Sequence, residues 1–169
     1  LDSDFVSAIV EIDGGEGMVE QRAFTPSGDA VTSCTTQTSA TWYFADGYTV
    51  ANSIEQLILV NPSVDRASVN LTFVTETGTR TPSQLQGRTI APRSVQVLSI
   101  AESGFRDEPV IAVEVTTTTG RVVVARAQRY LGSGRLGYTL TLGSPVVSDQ
   151  VWFAQGLQGP DVSERYVLF

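Results

Sequence analysis

Residues 43–47 read YFADG and residues 152–156 read WFAQG. Phe44, Ala45 and Gly47 recur as Phe153, Ala154 and Gly156, at a shift of 109 (153 − 44). At the same shift and without a gap, Glu55 becomes Glu164 and Leu59 becomes Leu168. A second echo links Val10-Glu11-Ile12 to Val113-Glu114-Val115 at a shift of 103, and Arg22-Ala23 to Arg126-Ala127 at 104. A spacing near 105 matches the size of one small β-sandwich, so the pattern predicts tandem units rather than one large fold.

Working outward from the repeat, apolar residues alternate with polar or β-branched ones at 6–12, 18–23, 67–74, 94–100, 110–115 and 121–127. Side chains on a strand point to opposite faces in turn, so this period predicts half-buried strands. Turn-forming residues separate them: DGG at 13–15, NPS at 61–63, TG at 77–78, AP at 91–92 and TG at 119–120. No stretch carries a helical period with caps. The expected fold is all-β: immunoglobulin-like β-sandwich repeats, one complete unit flanked by partial units. The complete unit spans 41–131, with strands at 42–44, 55–60, 67–75, 88–91, 94–100, 110–116 and 121–130. Residues 1–24 read as the terminal hairpin of a preceding unit and 151–169 as the first strands of a following one. Linkers are expected at 25–40 and 132–150, with 138–142 adding a linking strand.

Composition narrows the function. The 169 residues carry a net charge of −7, with 11 positive residues, all arginine, and no histidine. An acidic chain without a basic cluster is a poor partner for nucleic acid or anionic lipid. Without histidine it lacks the commonest metal ligand and the commonest general base near neutrality. No zinc spacing, phosphate loop or Ser/His/Asp set is present, and no cofactor is expected. DGGEG at 13–17 has too few oxygen ligands at fixed spacing for a calcium loop, and is read as a turn. No apolar run approaches the roughly 18 residues of a membrane-spanning helix. The first residues lack a signal peptide's basic and small-residue features, so any targeting or anchoring segment is expected upstream.

Four groups of residues remain as candidates, none catalytic. Trp42 and Tyr43, with Phe44, form an aromatic run, and Trp152 and Phe153 open the next unit. Alternation turns one or two rings of the run away from their own core. Such rings would pack on a neighbouring unit or stack on a glycan, and Trp42→Ala would then loosen the angle between units more than it melts one. Arg22 and Arg126 occupy equivalent positions, as do Glu55 and Glu164, and these predict structural ion pairs between strands. Cys34, the sole cysteine, is either an inert thiol or bonded to a cysteine outside this chain.

The motifs in order are GMVEQR at 17–22, Cys34, WYFADG at 42–47, LVNP at 59–62, TETG at 75–78, IAPRSV at 90–95 and VVVARAQRY at 122–130. This series resembles DUF5719, a family of secreted or envelope proteins of actinobacteria with WYFAEG-type repeats. The resemblance implies an extracytoplasmic location, with anchoring upstream, and an earlier cysteine as the partner of Cys34. It supplies no catalytic residue. The closing strand departs from the family's acidic residue before arginine, which bears on packing alone. The expected function is a non-catalytic scaffold or spacer of the cell envelope, in contact with other envelope proteins or neighbouring repeats. The alternatives are a glycan-binding or glycosyltransferase-accessory module in envelope polysaccharide assembly, meeting cell-wall glycan, and a strand-exchanging, self-associating filament subunit.

Overall fold

The computed structural model describes residues 5–26, 28–154, 156–157 and 159–169. Its strands are β1 (Glu20–Thr25), β2 (Gly28–Ser33), β3 (Thr41–Phe44), β4 (Ile54–Asn61), β5 (Ala67–Thr75), β6 (Gly78–Arg80), β7 (Arg88–Ile90), β8 (Ser94–Ser99), β9 (Ile111–Thr119), β10 (Val123–Gly132) and β11 (Arg135–Leu142). One sheet has the order β11-β10-β4-β8; the other runs β3-β9-β5-β6, with β7 also on β5. All these pairings are antiparallel. The two sheets enclose one apolar core, so the β-sandwich expected from the alternation is the observed architecture.

The alternation dictates which side chains enter. On β5, Ala67, Val69, Leu71, Phe73 and Thr75 are buried while their neighbours are half-exposed. Phe73 stacks on Phe105 with ring centroids 4.2 Å apart, a pairing that adds to area burial. On β4, Glu55, Leu57, Leu59 and Asn61 share the inner face. Ile58 points the other way, into a second cluster with Ala127 and Leu140. That outer face is covered by the β1–β2 hairpin through Ala30. Burial on both faces accounts for the near-continuous apolar run of β4.

Four segments differ from expectation. Residues 6–12 form no strand, and Val6, Ile9, Val10 and Ile12 are exposed. A strand needs a partner for its backbone groups, and β1 takes β2 instead, closing at Thr25↔Gly28. The expected linker 25–40 therefore contributes a strand, while residues 1–4 of the expected terminal hairpin lie outside the described residues. In the expected linker 132–150 the linking strand expected at 138–142 is present and begins earlier, as β11, paired with β10 from Ala125↔Leu142 to Gly132↔Arg135. Ser133 and Gly134 both have positive φ (55° and 77°), the requirement of a two-residue hairpin turn. Residues 151–169 contain no strand among those described, and Gln155 of WFAQG lies outside them.

Candidate functional site

β3 carries Trp42 and Phe44 inward and Tyr43 outward. Trp42 is 0% exposed, and its Nε1 donates to the Val122 carbonyl at 2.9 Å. This corrects the reading of Trp42 as an interface or glycan-stacking ring: it shares the core face with Phe44, and its one polar atom is satisfied there. Tyr43 is the outward ring, and it meets Phe169 at 6.2 Å. Trp152, at 83% exposure, and Phe153 both lie open to solvent, with Phe153 edge-on to Tyr166 at 4.8 Å.

After Phe44 the chain turns through Asp46, Gly47 and Tyr48, passes a single 3-10 turn at Val50–Asn52 and enters β4. The turn is tied on every side. The Gly47 carbonyl accepts from the Ile111 amide at 3.0 Å, and the Thr49 amide donates to the Glu108 carbonyl at 3.0 Å. The Thr49 hydroxyl donates to the Phe105 carbonyl at 2.8 Å. The Tyr48 amide donates to Glu55 Oε2 and to Gln128 Oε1, each at 3.2 Å. Gln128 Nε2 returns a bond to the Tyr48 carbonyl at 2.8 Å, and Ser53 Oγ accepts from the Leu131 amide at 3.1 Å. Gln128 sits opposite Glu55 in the β10–β4 register, which brings these two buried polar side chains together.

Burial pushes the Glu55 carboxyl up from 4.5 to about 7; the Arg126 charge and the Tyr48 amide pull it down, and Asp46 pushes it up. Among the described residues Arg126 makes no contact ion pair with Glu55; the ion pairs are Arg22–Asp29 and Arg80–Glu108. The Arg126 guanidinium lies 5.8 Å from the Phe44 ring centroid. Glu55 Oε1 and Arg126 Nε and Nη1 are buried without a hydrogen-bond partner. The expected Glu55–Arg126 bridge is thus an attraction across a gap. Arg22 is bound by Asp29 at 2.8 Å and not by a repeated glutamate. Glu164 accepts instead from the Leu157 amide at 3.1 Å and the Tyr166 hydroxyl at 2.7 Å.

Gly47 is required by close approach: a Cβ there would fall on both carboxylate oxygens of Glu55. Gly47→Ala is expected to cost about 1–3 kcal/mol, measured by urea denaturation, because backbone and buried carboxylate must separate. The same substitution at Gly156, where a Cβ would meet Glu164 oxygens at 3.2 and 3.3 Å on an exposed segment, is expected to leave stability nearly unchanged. Gln128, Tyr48 and Ser53 were not legible as site residues: at the shift of 104, Gln128 faces Phe24, so no repeat marks it. Cys34 is a free, exposed cysteine. Among the described residues no group of three or more His, Cys, Asp or Glu could hold a metal ion.

The fold and this interior defined so far are those of a β-sandwich protein whose most perturbed carboxyl is sealed between its sheets. The chain belongs to DUF5719, a family of unknown function, whose sequence profile matches residues 13–133. No curated protein matches it. Among solved structures it is similar to the crystal structure of Thermotoga maritima 1070, with a TM-score of 0.54 and 18% identity over 64% of this chain and 96% of that one. It also aligns with an Anabaena sensory rhodopsin transducer, with a TM-score of 0.44 and 15% identity over 55% of this chain and 99% of that one.

Proposed function

We propose that the protein is a non-catalytic scaffold or spacer of an actinobacterial cell envelope, extracytoplasmic and built of tandem sandwich units. The observation that carries this reading is the contact of Tyr43, on the outer side of β3, with Phe169 of the repeated segment. It joins the sandwich to the following sequence through an aromatic pair, as a spacer of stacked units requires. The chemistry of the site supports the same reading, because Glu55 is 0% exposed and its carboxylate accepts from the Tyr48 amide of a turn that Gln128 ties to β10. Its partners would be neighbouring repeats or other envelope proteins.

Tyr43→Ala is expected to increase the radius of gyration in small-angle scattering while moving Tm by less than about 2 °C, since a surface ring contributes little to core stability. Unchanged scattering would remove the contact on which the reading rests. Fractionation of the source cells with surface proteolysis tests location, and a wholly cytosolic protein would overturn the envelope assignment. The exposure of Trp152 favours a second reading, glycan binding. It predicts that wall-glycan fragments quench or shift tryptophan fluorescence and that Trp152→Ala abolishes the change.

A further inference from the structure

The inner face of β4, β10 and β11 carries a group of polar side chains that the apolar core does not use. In the β10–β4 register Glu55 sits opposite Gln128, and Leu57 opposite Arg126. Arg126 lies two residues from Gln128 on the same face of β10, so it is the diagonal neighbour of Glu55. Across the other edge of β10, Arg126 sits directly opposite Thr141 of β11. The register therefore places Arg126 between Glu55 and Thr141, with either in reach of a long side chain. Glu55 is 0% exposed, and Arg126 and Thr141 are half-buried.

These three side chains make no hydrogen bond to one another. Glu55 Oε2 accepts from the Tyr48 amide. Glu55 Oε1, Arg126 Nε and Nη1 and Thr141 Oγ1 are buried without a hydrogen-bond partner. Buried polar groups left in that state are costly. The facing sheet does not relieve them. There the guanidinium meets the Phe44 ring, 5.8 Å from its centroid, and a Cβ on Gly143, just past β11, would come within 2.7 Å of the same ring. An aromatic face attracts the positive charge but offers no oxygen to its N–H groups.

We infer that a structural water site lies between these side chains, bridging Glu55 Oε1 to the Arg126 guanidinium and the Thr141 hydroxyl. The atoms themselves select the ligand. Glu55 Oε1 calls for a donor, Arg126 Nε–H and Nη1–H call for acceptors, and the Thr141 hydroxyl takes either. Water supplies both kinds, and a buried water molecule makes about three such bonds. An anion would suit Arg126 but would lie beside Glu55, where Asp46 adds to the negative charge. The site turns the attraction between Glu55 and Arg126 into a hydrogen-bonded tie. It joins β4, β10 and β11 through side chains as well as backbone. A few fixed water molecules do not restore bulk hydration, so burial still governs the Glu55 carboxyl. Such a site belongs to the single sandwich and is independent of the scaffold reading.

The test is NMR cross-relaxation between water and the Arg126 Nε–H, measured on the whole 169-residue chain, together with the Tm of Thr141→Val. Wild type is expected to give a water cross-peak at Arg126 with the sign of a molecule that tumbles with the protein. The cross-peak should persist in Thr141→Val, which rules out magnetisation relayed through the threonine hydroxyl. The same variant, shown folded by circular dichroism, should melt a few degrees below wild type, because the water loses a partner. A hydroxyl that is merely unpaired would instead be relieved by valine, and Tm would rise. Sodium bromide should leave the Arg126 Nε resonance unmoved. Absence of the cross-peak in wild type, its loss in Thr141→Val, or a raised Tm overturns the proposal. A bromide-dependent shift that saturates also overturns it, by assigning the site to an anion.

Discussion

Trp42→Ala is expected to cost about 3–5 kcal/mol of folding stability and to lower Tm by on the order of 10–20 °C. Trp42 is the largest fully buried side chain of the core. Removing it leaves a cavity between sheets already joined at this point. Its Nε1–H bond to the Val122 carbonyl is also lost, although that carbonyl keeps the Ser39 amide at 2.9 Å. The ring further packs against the backbone at Gly143, where a Cβ would come within 3.2 Å of Trp42 Cε3 and 2.7 Å of Phe44 Cζ. Collapse of the cavity would therefore drag the end of β11 with it. Calorimetry reads the outcome. A Tm within a few degrees of wild type, together with an altered scattering profile, would restore Trp42 to the role of a ring between units.

The second large effect depends on pH. The folded Glu55 carboxyl titrates near 7, against 4.5 for an ordinary one. Because the folded value is the higher, the native state binds this proton more tightly than the unfolded chain does. The contribution of Glu55 to stability is therefore greatest below about pH 4.5, falls as pH rises through the interval to about 7, and is level above it. The shift corresponds to about 3 kcal/mol. Glu55→Gln keeps an acceptor for the Tyr48 amide and removes the titration. The difference in stability between wild type and this variant should therefore change by about that amount across the window. Urea denaturation at a series of pH values measures it. A difference independent of pH would mean that the carboxyl reaches water in the folded protein.

Much of the fold was legible because strand alternation leaves few choices: β4, β5, β8, β9 and β10 fall close to where the apolar period puts them. β11 was legible only in its second half, as a linking strand at 138–142, and its start at Arg135 and its pairing with β10 were not. Two consecutive residues able to take positive φ, between runs of alternating residues, are what a hairpin requires. At 6–12 the period is sound, but among the described residues no strand lies beside it to accept its backbone bonds. At the site, Gly47 and Glu55 were marked by their repetition, and the structure explains that mark by their contact. Gln128 carries no such mark, because its role follows from a cross-strand register that one strand's sequence does not contain. The aromatic run shows the same division. Alternation required Trp42 and Phe44 to share a side, but which side was the core depended on β9 and Val122.

Glu55 is a buried structural tie rather than an accessible acid. A carbon-13-detected NMR titration of its carboxyl tests this most directly. A midpoint near 7 is expected, with the Tyr48 amide resonance moving over the same interval. A midpoint near 4.5, with the Tyr48 amide unmoved, would place the carboxyl in water and contradict it.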